Sequence, residues 1–321
     1  MALHEKQDRN GLIRSRDLRV CNFYAKWLNV NSEINTRNVP RQDVESCRRE
    51  LNLLINRAIP DKAKQTRLLS DMEIGREENI LLQESFDWVR MDERAAFWLW
   101  AYLCETRDSL LEIDSPSTPE LTNWYQRLNL SVSPVSHTER VNLIVTFFDS
   151  IIIPAPPVKY VKKKVMEKLK DQWRVIYNKP LPLKWLPDEE DAVLWAWNNL
   201  QKVQRDNPLG ISRSSMRRNA SGLTIWFTPF NHAERNLALR AALDLWDGAQ
   251  DTKRLFLLNL NKAWNQQKLR QSRTDKKALN TYLKNETKNR LDLMAERSGV
   301  RISDMLEKLI NEHYRKMIGG E

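Results

Sequence analysis

Between Lys276 and Leu283 the chain alternates apolar and polar residues, and this run passes directly into a helical segment, Asn285 to Arg297, closed by Ser298-Gly299. A period of two marks a strand, and the three- and four-residue spacing after it marks a helix. Beyond the glycine, Val300-Arg301-Ile302-Ser303-Asp304 opens a second helical segment that continues to about Lys316. One short strand has unpaired amides along both edges, and two short helices cannot bury their apolar faces unaided. Two copies of the segment satisfy both needs. The order of elements therefore predicts a homodimer built on paired strands.

Spacing assigns the core of that unit. Leu279 and Leu283 face inward on the strand, and Leu291, Met294 and Ala295 continue the apolar face on the first helix. Ile302, Leu306, Leu309 and Ile310 do the same on the second, at the steps of a buried helical stripe. Gly299 stands where a helix end needs a left-handed residue, and Ser303 where the next helix needs an N-cap. With these residues the segment, about 274 to 316, resembles the ribbon-helix-helix family of DNA-binding proteins. That resemblance implies an antiparallel two-stranded ribbon entering the major groove. The outward strand residues Ala278, Asn280 and Tyr282 would then read base edges, Asn suiting a bidentate contact to adenine. Lys276 and Lys277 would hold flanking phosphates, and Arg301 and Ser303 at the start of the second helix would clamp another. Thr281 takes an inward position that is usually apolar in the family, and Asp304 sets a negative charge beside the expected phosphate.

Composition agrees with a polyanionic partner. The 321 residues carry a net charge of +10, with an isoelectric point near 9.5 and a mean hydropathy of -0.62. Basic residues gather between Lys159 and Lys170, between Arg213 and Arg218, and between Lys262 and Lys277. Only 8 glycines occur, too few for a fold that cradles phosphates on glycine turns, so a mainly α-helical chain is expected. Cys21, Cys47 and Cys104 are widely spaced, which predicts neither a disulfide framework nor a metal site. No segment has the length and apolarity of a membrane span. A cytoplasmic, nucleoid-associated protein without cofactor is expected.

Upstream of the tail, the chain reads as a helical region in three parts, residues 1–84, 85–178 and 183–270, followed by the 274–317 module. The 1–84 part carries a short helix near Val20 to Leu28, a stripe through Val44, Cys47, Leu51, Leu54, Ile55 and Ala58, and a helical stretch from Lys62 to Leu82. The next two parts look duplicated. Asp92 to Trp100 resembles Glu189 to Trp197 at an offset of 97, and His137-Thr-Glu-Arg140 resembles His232-Ala-Glu-Arg235 at 95. Asp149 falls opposite Asp244, and the basic helices Lys162 to Trp173 and Arg254 to Trp264 both end on tryptophan. Asn178-Lys-Pro-Leu-Pro182 marks the boundary, and Pro154-Ala-Pro-Pro157 breaks the first part.

The repeated histidines invite a catalytic reading, but Ser136-x-x-Glu139 and Asn231-x-x-Glu234 are capping-box patterns that place them in first helical turns. The Trp-x-Trp segments are too apolar for an exposed base-stacking platform and are expected in the core. Arg213 to Arg218 is expected as a flexible basic loop. The sequence thus predicts a sequence-specific double-stranded DNA-binding homodimer without enzymatic activity, acting as a transcriptional regulator or in DNA organisation or partition. The competing expectation is a protein-interaction scaffold whose C-terminal hairpin only dimerises.

Overall fold

The computed structural model describes residues 12–113, 123–151, 157–206, 224–246, 250–272, 279 and 281–318, with side chains 203–206 left aside. The described chain is mainly helical, and no strand occurs among the described residues. It divides into two compact units, Met1–Lys262 and Ala263–Glu321.

The first unit starts with α1 (Leu18–Asn31), α2 (Val44–Ala58) and α3 (Lys62–Asn79). Each begins after an aspartate whose carboxylate accepts a free first-turn N–H: Asp17 from Arg19, Asp43 from Ser46, Asp61 from Ala63. Cys21, Ala25 and Leu28 on α1 and Cys47, Leu51 and Ile55 on α2 recur at three- and four-residue steps, and all are fully buried with Met72 of α3. Ala58, expected on the α2 stripe, is exposed. Gly75 lets Trp27 cross α3 closely. A Cβ there would stand 2.5 Å from the indole Nε1.

Next come α4 (Asp87–Arg90), α5 (Glu93–Glu105), α6 (Trp124–Arg127), α7 (His137–Ser150) and α8 (Val158–Asn178). α5 packs against α4, α6, α7 and α10 (His232–Asp244). Enclosed so fully, it buries every residue from Ala95 to Ala101, a pattern a helix shows only at the centre of a core. Trp98 lies against Trp173 of α8 at 5.6 Å, and Phe97 against Phe227 at 5.9 Å. The Trp100 indole N–H donates to the Tyr125 hydroxyl, which donates to the Ser131 carbonyl. The buried Asn123 amide closes the end of α5 by donating to the Thr106 and Leu103 carbonyls. One apolar core runs from Leu81 to Leu257, through both expected repeats, while Ile13 to Met72 form another. α9 (Glu190–Asp206) and α11 (Gln250–Gln271) complete the order of the region.

The caps of α7 and α10 follow the same pattern. Ser136 Oγ accepts from Glu139 N–H and Asn231 Oδ1 from Glu234 N–H. The glutamates accept not from the cap amide, as a capping box requires, but from the residue before it: Val135 for Glu139, Phe230 for Glu234. The extended entry segment places that earlier N–H nearer the carboxylate. Trp98, Trp100 and Trp197 are buried and Trp195 half-buried, whereas Leu194 is exposed. The basic helices continue past Trp173 and Trp264, to Asn178 and Gln271. Pro154 to Pro156 of the first proline break and the whole of the 213–218 basic loop lie outside the described residues. At the second break α8 stops at Asn178, where the following prolines cannot continue it.

Two bidentate ion pairs tie helix starts to distant helix ends. Arg19 in the first turn of α1 donates to both oxygens of Asp149 on α7, at 2.5 and 2.6 Å. Arg94 in the first turn of α5 donates to both oxygens of Asp244 on α10, at 2.8 Å. Burial nevertheless raises the Asp244 carboxyl above its ordinary value, outweighing the lowering by Arg94. Desolvation therefore cancels much of the attraction, and the pair fixes geometry more than it adds stability. Asp244→Ala, which strands Arg94, is expected to cost about 3–5 kcal/mol in a urea titration, and Arg94→Met/Asp244→Leu distinctly less.

Lys162 on α8 is 1 % exposed and makes no hydrogen bond or ion pair among the described residues. Burial lowers its ammonium to about 8, against partial support from Asp149. The folded pKa lies below the unfolded one, so stability rises with pH between about 8 and 10.5, where only the unfolded chain holds the proton. Lys162→Met should raise the melting temperature at pH 7, and the gain should shrink as pH approaches 10.5.

Candidate nucleic-acid interface

The C-terminal unit contains α12 (Asn285–Arg297) and α13 (Ile302–Ile318). α12 occupies the span read from the sequence, and α13 runs two residues past Lys316. Gly299 has φ +63°, and a Cβ there would meet nothing within 4 Å, so glycine is needed for backbone conformation and not for space. Val300 N–H donates to the Ala295 carbonyl and Gly299 N–H to the Glu296 carbonyl. These two bonds satisfy carbonyls that the helix end would otherwise leave open, in the Schellman arrangement.

The start of α13 differs from expectation. Ser303 is not the N-cap: the helix begins at Ile302, and the Arg301 carbonyl accepts from the N–H groups of Asp304 and Met305. The tight Gly299 turn brings the chain into helical geometry two residues earlier, which leaves Ser303 inside the first turn. Its hydroxyl donates to Asp304 Oδ1 at 3.1 Å, and Arg301 Nε donates to Asp304 Oδ2 at 3.3 Å. Asp304 thus occupies Arg301 and Ser303, the two side chains at the start of α13 expected to hold a phosphate. Arg301 is otherwise exposed at 85 %, free to turn outward on its long stem.

Inside the unit, Leu291, Ala295 and Met305 are buried, with Leu306 and Leu309 packed against them. Met305 was missing from the residues read from the sequence, although it lies three steps from Ile302 and four from Leu309. Leu279, Leu283, Met294, Ile302 and Ile310 are exposed in the single chain. Lys276, Lys277, Ala278 and Asn280 lie outside the described residues. Leu279 and Thr281 to Lys284 are neither helix nor strand, and Tyr282 is fully exposed.

The repeated histidines each meet an oxygen at the end of a neighbouring segment. His137 Nε2 donates to the Arg90 carbonyl at 2.9 Å, and His232 Nε2 stands 3.3 Å from Asp188 Oδ1. Arg140 is 4 % exposed and faces neighbouring helices, with its guanidinium 3.6 Å from the Phe97 ring centre of α5 and 4.0 Å from Glu234 of α10. Burial pushes its pKa down to about 10. All three cysteines are free and buried. Among the described residues no cluster of three or more histidine, cysteine or acidic side chains could hold a metal, and no helix is long and apolar enough to cross a membrane.

If Asp304 competes with phosphate for Arg301 and Ser303, removing its charge frees both donors and deletes a repulsion. If the unit binds duplex DNA, as the resemblance implies, Asp304→Ala is expected to tighten that binding by about threefold to tenfold at low salt, measured by fluorescence anisotropy. No protein-family model, curated protein or solved structure matches this chain.

Proposed function

We propose that this chain is a sequence-specific double-stranded DNA-binding protein that acts as a homodimer through a C-terminal ribbon-helix-helix. The observation that carries the reading is the α12–Gly299–α13 unit, which buries Leu291, Ala295 and Met305 yet leaves Leu279, Leu283, Met294, Ile302 and Ile310 exposed. An apolar set of that size on so small a unit calls for a partner. A second copy supplies it with the same residues, as a two-fold interface requires. The net charge of +10 favours a phosphate backbone as ligand.

In this reading Ala278, Asn280 and Tyr282 read bases, while Lys276, Lys277, Arg301 and Ser303 hold phosphates once Arg301 and Ser303 leave Asp304. The helical region carries two homologous units, 85–178 and 183–270. The matching caps of α7 and α10 and the equivalent positions of Asp149 and Asp244 support that duplication. The Arg19–Asp149 pair repeats the Arg94–Asp244 device one step towards the N-terminus. Such a region would set the spacing of bound sites or recruit a partner, in transcriptional regulation or in chromosome or plasmid organisation, within the cytoplasm.

The test is selection and sequencing of genomic fragments bound by the full-length protein. Enrichment of one motif is expected. Asn280→Ala should relax the motif at one position, at a cost of about 1–3 kcal/mol on the preferred site, whereas Lys277→Ala should weaken all fragments evenly. A dimer that enriches no fragment would point instead to a protein-interaction scaffold.

A further inference from the structure

A second basic site lies far from the tail in sequence. Between α1 and α7 opens a cleft of about 480 Å³, the size of a small-molecule site. Four cationic side chains line it, Arg19, Lys26, Arg41 and Arg90, against two acids, Asp17 and Asp149. Both acids are already engaged. Asp17 accepts the Arg19 N–H as the cap of α1, and Asp149 takes the Arg19 guanidinium with both oxygens. Lys26, Arg41 and Arg90 have no acidic partner among the described residues. Behind the wall lies Lys162, buried and without a partner, close enough to sense Asp149, Lys26 and Arg19. One carboxylate thus faces three cations, while two arginines are left over.

Gathering like charges around a hollow is unfavourable in the empty protein, and the repulsion registers at Lys26, which desolvation and Arg41 hold below its ordinary value. An anion in the cleft reverses the sign of that interaction. Guanidinium groups offer paired N–H donors that match phosphate oxygens, and the side-chain amides of Gln83 and Asn142 add neutral donors to the lining. Carboxylate ligands for a cation are lacking, since Arg19 occupies Asp149. We propose that this cleft binds a phosphate group, carried by a soluble phosphorylated compound or by a nucleic-acid backbone. The site is independent of the C-terminal module and stands whether or not the tail reads DNA.

The experiment uses the full-length protein, with pyrophosphate and ATP as soluble probes and a duplex oligonucleotide as the backbone probe, at fixed ionic strength. Lys26→Glu/Arg41→Glu changes two side chains that make no ion pair among the described residues, so the fold should be kept, with an unliganded melting temperature no lower than that of the parent because the repulsion in the empty cleft is relieved. Lys64→Glu/Lys163→Glu, an equal charge change outside the cleft, is the control. Saturable calorimetric binding of pyrophosphate or ATP, weakened at least tenfold by the cleft variant and not by the control, assigns the site to a soluble ligand. Absence of that binding, with duplex affinity reduced at least tenfold in the cleft variant alone and a salt dependence shallower by about two, assigns it to a backbone phosphate. If neither probe distinguishes the cleft variant from the control, the proposal is overturned.

Discussion

Enclosure of α5 is the constraint on which the large unit depends. A helix buried from Ala95 to Ala101 has no amphipathic face to orient it, so its neighbours must fix it from every side. Burial of such large side chains supplies the driving force, each worth about 1.5–3 kcal/mol. Direction comes from the polar groups at its ends. Asp92 caps the start by accepting the Ala95 N–H, Arg94 locks the first turn to Asp244, and Asn123 closes the last turn. Apolar packing alone would tolerate rotation or sliding of α5; these three attachments allow one register.

The same separation of roles appears in the C-terminal unit, with less to spare. Its core contains few residues, and its geometry rests on the left-handed Gly299 and the two carbonyls satisfied after it. A unit this small cannot bury all its apolar side chains internally, because surface grows relative to volume as size falls. The exposure of Leu279, Leu283, Ile302 and Ile310 in the single chain follows from that scaling.

Electrostatics divides along the same lines. Where arginine meets aspartate with both oxygens engaged, at Asp149 and Asp244, charge locates helices. Around the α1–α7 cleft, Lys26, Arg41 and Arg90 stand without an acidic partner among the described residues, the charge that the proposed anion would answer. Arg140 follows a third course: its guanidinium lies on the Phe97 ring and beside Glu234, and the ring face and the carboxylate offset the burial that disfavours its charge.

The sequence by itself determined the local features: the helical class, the span of α12, the glycine turn, and the first-turn positions of His137 and His232. These depend on residues within a few steps of one another, whose spacing is visible along a line. It also marked Trp98 and Trp100 as core, because apolar neighbours on all sides leave no exposed face. Tertiary structure alone decided which charges meet. Arg19 and Asp149 are 130 residues apart and Arg94 and Asp244 150, so no local spacing announces either pair. It decided the burial of Lys162 and Arg140, which a charged residue type argues against. It also moved the cap of α13 from Ser303 to Arg301, since the turn before a helix sets where its first hydrogen bond can close. Local chemistry chooses the elements, and long-range packing chooses their partners, because a contact between distant residues exists only once the elements between them are in place.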